Sequence, residues 1–147
     1  MSNPRDIGYS IAGMPGIDAA AGVESAEQTG PWVNRHDPVL WLSASAMVQA
    51  RAAALADTEN ITITAQIEDA DDAAGTGAAA YGAAADPKVE TNTSGGVQDT
   101  RAVLEYDVDL SGAREYVRIK ATVTPSAATA CDMSGVWVLG GANKNPA

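Results

Sequence analysis

Ile61-Thr62-Ile63-Thr64-Ala65-Gln66-Ile67 decides the fold of this chain. Ile61, Ile63, Ala65 and Ile67 fall on one side of an extended backbone, while Thr62, Thr64, Gln66 and then Glu68 fall on the other. β-Branched residues at nearly every site suit a pleated surface with one buried face. Two further stretches repeat the pattern. Leu104, Tyr106, Val108 and Leu110 alternate with Glu105, Asp107 and Asp109, and Val117, Ile119, Ala121 and Val123 alternate with Tyr116, Arg118 and Lys120. Ser111-Gly112-Ala113 between them reads as a turn. The two strands are therefore expected to pair as a hairpin, the acidic face of one beside the basic face of the other. Opposite charges across such a pair contribute about 0.2–1 kcal/mol each. Register matters more, because a slip by one residue would bury Asp107 or Arg118.

Outward from this centre the reading is less regular. Val136-Trp137-Val138-Leu139 is a last strand, stopped by Gly140-Gly141, and Pro125 to Ser134 before it reads as a loop. Val39-Leu40-Trp41-Leu42 starts the first strand, after Asp37-Pro38. Ser45 to Ala56 combines helix-forming residues with a weak alternation, and the expectation is a strand to about Ala50 followed by a short helical or irregular link. Glu68 to Asp86 is acidic and then rich in Ala and Gly, a long loop or sheet-edge excursion pinned by Tyr81. The class that follows is all-β: an antiparallel, jelly-roll-like β-sandwich over residues 38–147. Residues 1–37 read as an extended N-terminal arm, because Gly8, Gly13, Pro15, Gly16, Gly22, Gly30 and Pro31 interrupt every candidate element. Ile7, Ile11, Met14, Ile17 and Val23 form no stripe. They favour an arm that orders on another surface over a frayed terminus.

Composition narrows the function. The 147 residues suit one domain, yet 30 are Ala, none is Phe, and Val, Ile and Leu total only 25. The core is expected to be thin and completed by neighbouring subunits or a partner. A net charge of −10, with nine scattered Lys and Arg, argues against nucleic acid and towards basic protein surfaces. The early residues lead into no long apolar segment, so neither a signal peptide nor a membrane span is expected.

Chemistry-bearing motifs are sparse. Cys131 is alone and reads as a small buried thiol, and His36, the one histidine, reads as a surface residue beside a proline turn. No nucleophile elbow, phosphate loop or paired-cysteine spacing is present. Glu68, Asp69, Asp71 and Asp72 are the densest carboxylates. A calcium site wants six to eight oxygens, but the EF-hand spacing is missing, so a solvated acidic loop is the expectation. No catalytic residue, cofactor or metal is assigned, and the chain is not expected to be an enzyme. Trp41 and Trp137 lie in apolar strands and read as core. Trp32 with Val33, and Ile7, Ile11 and Ile17 further up the arm, are the candidate partner-binding residues.

Tyr106-Asp-Val-Asp-Leu-Ser-Gly112, Arg114-Glu-Tyr-Val-Arg-Ile-Lys120 and Val136-Trp-Val-Leu-Gly-Gly-Ala142 together resemble the capsid decoration, or cement, proteins of tailed-phage (siphophage) heads. Ile61 to Asp69 fits the same layout, in which a strand runs into an acidic, Gly-rich loop. The likeness covers residues 39–142 and leaves the arm unmatched. The Ala-rich run 73–85 departs from the pattern, with Tyr81 in the place of its loop aromatic. The resemblance implies a β-sandwich on the outer surface of the virion capsid, as a homotrimer bridging major capsid proteins. Two other readings of the residues stay open: a carbohydrate-binding surface module, and a tail-tube or tail-terminator component.

Overall fold

The computed structural model describes residues 11–37 and 40–141, and all of their regular structure is strand. The strands are β1 (Ile11–Pro15), β2 (Ala20–Ala21), β3 (Gln28–Thr29), β4 (Val33–Asn34), β5 (Ser43–Leu55), β6 (Asn60–Ala70), β7 (Ala79–Tyr81), β8 (Lys88–Thr91), β9 (Gln98–Asp109), β10 (Tyr116–Pro125) and β11 (Cys131–Gly140). One sheet runs β1-β11-β5-β9, with β2 also on β11. The other runs β3-β10-β6-β7, with β4 also on β10 and β8 also on β6. Every ladder is antiparallel.

The pairing is nested. The first strands meet the last (β1 and β2 on β11), the next meet the one before it (β3 and β4 on β10), then β5 meets β9, and β6 meets β7 and β8. This wrapping of a chain onto itself in concentric pairs is a jelly roll, and it makes the molecule a two-sheet antiparallel sandwich.

Alternation produces the core. Ile61, Ile63, Ala65 and Ile67 of β6 and Val117, Ile119, Ala121 and Val123 of β10 are all buried from one sheet. The other sheet answers with small residues on its middle strand. In register, Ala46 lies between Trp137 and Tyr106, and Ala44 lies between Leu139 and Val108. The alanines of β5 are therefore spacers that let large neighbours meet over them. Tertiary pairing overrides their helix preference, and the expected link after Ala50 is instead continuous strand to Leu55. The register slips once, between Ala52 and Leu55, where Ala54 takes a φ of 55° and its N–H donates to Asp99 at 3.3 Å.

Residues 11–37 are extended, and the surface they lie on is this domain's own. β1 pairs along β11 from Ile11↔Gly140 to Pro15↔Val136. Ile17 is buried, and its carbonyl accepts the Gly135 N–H at 2.9 Å. Gly135 and Gly16 approach so closely that a side chain at Gly16 would run into the Gly135 carbonyl. Val23, also buried, donates to Cys131 of one sheet, and Ser25 donates to Val123 of the other, so the chain changes sheets here. The arm supplies the first two positions of the roll, and the boundary expected at 37/38 abuts residues 38–39, outside the described ones.

The expected hairpin of residues 104–110 and 116–124 does not form. β9 pairs with β5 and β10 pairs with β6, so the connection crosses from sheet to sheet. Arg35, itself buried, holds that corner. Its guanidinium donates to the carbonyls of Arg114 (2.8 Å), Trp41 (3.1 Å) and Ala113. Leu110 and Ala113 are buried beside it, and the Leu110 N–H reaches the Leu42 carbonyl at 2.7 Å. The turn residues are real; the turn simply spans two layers. The first and last strands are also displaced from expectation: β5 begins at Ser43, after Trp41, and β11 begins at Cys131, within the expected loop.

Two substitutions test this packing by urea denaturation. Ile17→Ala should cost about 2–5 kcal/mol, as for a buried aliphatic cut to a methyl, and a cost below about 0.5 kcal/mol would separate the arm from the core. Ala46→Leu should cost about 1–3 kcal/mol by overpacking between Trp137 and Tyr106.

Candidate functional site

A sandwich offers two solvent faces, and here they differ in kind. On the β10–β6 sheet the outward residues are charged and matched. Glu68 of β6 receives Arg118 at 2.7 Å on one oxygen and Lys120 at 3.0 Å on the other, and Lys120 also reaches Glu27 at 3.4 Å. Trp32 lies over this group, with the Arg118 guanidinium carbon 4.4 Å from its ring centre, an arrangement favoured by the ring's electron-rich face. Gly75 packs against the indole edge, where a side chain would collide with Nε1. The charge complementarity expected between β9 and β10 is thus made between β6 and β10.

The carboxylates of the 68–72 stretch diverge from one another. Asp69 accepts Nε and Nη2 of Arg114 at 3.0 and 2.7 Å and the Arg114 backbone N–H at 3.0 Å. Asp71 takes Arg114 Nη1 at 3.3 Å. Asp72 folds its own loop, accepting the N–H groups of Ala74 and Thr76 and the Thr76 hydroxyl. Each carboxylate is committed to a cation or a loop amide, Asp69 and Asp71 sharing Arg114. Among the described residues no group of His, Cys, Asp and Glu is arranged to hold a metal ion. Cys131 is buried, and that burial, with Glu24 and Asp132 nearby, pushes its thiol up to about 11, which leaves it a poor nucleophile.

The solvent face of the β11–β5–β9 sheet is open. Successive outward rows read Asp132–Arg51–Arg101, Ser134–Gln49–Val103, Val136–Met47–Glu105 and Val138–Ser45–Asp107 across the three strands. Val136 is 60% exposed, Met47 and Val103 45% each, and Val138 38%. Val136 and Met47 are direct cross-strand neighbours, with Val138 one row on and Val103 diagonal to Met47. They form one apolar patch. At one end Arg51 is tied to Asp99 (2.5 Å) and Asp132 (3.2 Å), and Gln49 donates to Ser134 at 2.9 Å.

The residues expected to bind a partner are distributed differently. Trp32 is half-buried on Arg118, and Val33, in β4, pairs with Val117 and packs against the core. Ile17 is core, Ile11 contributes its backbone to β1, and Ile7 lies outside the described residues. Sequence reasoning passed over Met47, Val103, Val136 and Val138. The signal was present: Val136-Trp137-Val138-Leu139 is apolar at every position, so a strand with one buried face must show valines to solvent.

Acid should expose the ionic face. Burial pushes the Glu68 carboxyl up, but hydrogen bonds from Lys120 and Arg118 outweigh it and hold the group below its ordinary 4.5. Burial likewise pushes the Asp69 carboxyl up, but hydrogen bonds from Arg114 outweigh it and hold the group below its ordinary 3.8. Carboxylates lowered on folding stabilise the native state above their unfolded values and lose that effect as pH falls through the folded ones. The urea midpoint should therefore hold from pH 7 to about 5 and drop below about pH 4. Glu68→Gln should flatten that drop, and an acid profile unchanged by it would remove the pairing from the account.

Neither the family models nor the curated proteins yield a match to this chain. Among solved structures it is similar to a chain of the infectious bursal disease virus Gx strain, at 12% identity and TM-score 0.43, covering 88% of this chain and 31% of that one. It is similar also to the CBM22-1–GH10 modules of Clostridium thermocellum xylanase 10B, complexed with xylohexaose (12% identity, TM-score 0.38, 94% and 27% covered). A CBM4 structure follows at 15% identity, TM-score 0.37, with 85% and 79% covered. The chain thus spans about a third or less of the first two. At these values the likenesses assign it neither an activity nor a partner.

Proposed function

We propose that this chain is a non-enzymatic structural protein of the virion, of the decoration or cement type, seated on the outer capsid surface. Its solvent face on the β11–β5–β9 sheet would lie against major capsid protein. The observation that carries the reading is the exposed patch of Met47, Val103, Val136 and Val138. Contiguous apolar surface of this kind marks an interaction site, while the opposite face is closed by its own ion pairs. The resemblance of residues 39–142 to decoration proteins supplies the kind of partner.

In this reading the protein stabilises a shell by mass action, because it binds the assembled lattice and not the free subunits. A homotrimer at a three-fold position would engage several capsid subunits at once, so that weak single contacts hold together. A sugar-binding role would call for an exposed aromatic platform. Among the described residues Trp41, Trp137 and Tyr106 are buried, and the large exposed apolar side chains are aliphatic.

Added to expanded phage heads, the protein should sediment with them and raise their disruption temperature. Val136→Asp combined with Met47→Asp should abolish both effects while leaving the free protein's melting nearly unchanged, since solvent-facing changes usually stay within about 0.5 kcal/mol. Heads that melt identically with and without the protein would overturn the reading. Solution mass separates a trimer from the larger rings of a tail component.

A further inference from the structure

The outward column of β9 beside the apolar patch is acidic. Glu105, Asp107 and Asp109 stand at alternate positions, about 6.8 Å apart along the strand. Glu105 is the register neighbour of Met47, Asp107 of Ser45 and Asp109 of Ser43. Glu105, Asp107 and Asp109 have no cation partner among the described residues; Asp109 accepts from Ser111, whose N–H lies at 2.8 Å. Elsewhere the cations are spent internally: Arg114, Arg118 and Lys120 on the other sheet, and Arg51 on Asp99 and Asp132. Arg101, two rows from Glu105 on the same strand, is exposed, and its charge acts on Asp99. Among the described residues the open face therefore has an apolar centre, a flank of negative charge without a cation partner, and its arginines, Arg51 and Arg101, at the other end.

Resting on the docking reading, we infer that the occupant of this face is a protein surface with an apolar centre and a row of Lys or Arg along one flank. Charge decides between candidate occupants. A second copy of this chain carries a net charge of −10 and would bring like charge to the Glu105–Asp109 column. A basic partner would instead neutralise three carboxylates while its apolar residues cover Val136, Val138 and Met47. Because the pairing charges sit at the rim of the contact, they act on encounter rate, orientation and salt dependence, and the patch acts on residence time.

The test uses the full-length protein, labelled with nitrogen-15, and two capped heptapeptides, Lys-Val-Lys-Val-Lys-Val-Lys and its Glu-for-Lys counterpart. The lysine peptide should shift backbone amides of residues 45–49, 103–109 and 136–138, and leave those around Glu68 and Arg118 in place. Its affinity should fall at least about tenfold in the E105Q/D107Q/D109Q variant and weaken with added salt. Equal binding of both peptides, shifts spread over both faces, or unchanged affinity in the triple variant would overturn the inference. So would amide shifts in the free protein that depend on its own concentration, which assign the face to a second copy, or methyl contacts from residues 1–10 to Val136, which assign it to the chain's own terminus. Binding of heads without peptide selectivity would refute the charge assignment alone. Peptide selectivity without head binding would refute the virion role and leave the face's chemistry standing.

Discussion

Nested strand pairing is the constraint from which the other features follow. Because the first strands must lie against the last, residues 11–34 cannot be a separate tail, although nothing in their own sequence would hold a sheet together. β2, β3 and β4 are two residues long and survive only as additions to β10 and β11. The glycines that break any local pattern in the arm allow this. Gly16 and Gly135 let two backbones touch, and Ser25, at a φ of 57°, turns the chain from one sheet to the other. Contacts of such long sequence separation must be closed before they are rewarded, so the topology favours slow folding and a cooperative native state.

The nested order also explains why electrostatics divides between the faces. The crossing from β9 to β10 sends the basic strand into one sheet and the acidic strand into the other. β10 meets Glu68 near the end of β6, and its Arg118 and Lys120 are paired there. β9 becomes the edge of its sheet, where Glu105, Asp107 and Asp109 meet no cation among the described residues. Charged residues on an edge strand discourage uncontrolled pairing with further strands, and the same residues give the open face its sign. Arg35 enforces this division, since its guanidinium ties the loops on both sides of the crossing.

The sequence carried the strands well and their neighbours poorly. Period-two alternation identified β6, β9 and β10 and the buried half of each, because burying one face leaves that signature whatever the strand pairs with. Pairing is a non-local property, and the nearest plausible partner for β9 was β10. Only the corner built by Arg35, Trp41 and Leu110 excludes it, and no local pattern announces that corner. β5 failed for a different reason. Its alanines report no side of a sheet, and their role as spacers depends on Trp137 and Tyr106, about ninety and sixty residues further along the chain. The open face was readable in principle, since Ala46-Met47-Val48, Ala102-Val103-Leu104 and Val136 to Leu139 are apolar without alternation. A strand buried on one side cannot hide all of them.

The scarcity of large residues in this chain then takes on a physical meaning. Ala44, Ala46, Ala50 and Ala52 line the inner side of β5 beside Val48 and Leu55, so that the rest of the five-stranded sheet's core comes from β11 and from Leu104 and Tyr106 of β9. Apolar side chains that would deepen a larger protein's interior are instead placed outside, at Met47, Val103, Val136 and Val138. Burying any of these against a partner recovers part of the roughly 1.5–3 kcal/mol that full burial of such a side chain is worth. A thin core and a greasy exterior on one sheet are therefore two aspects of a single allocation. They suit a molecule whose stability increases when it is held against another surface, provided that surface can also answer the carboxylates of β9.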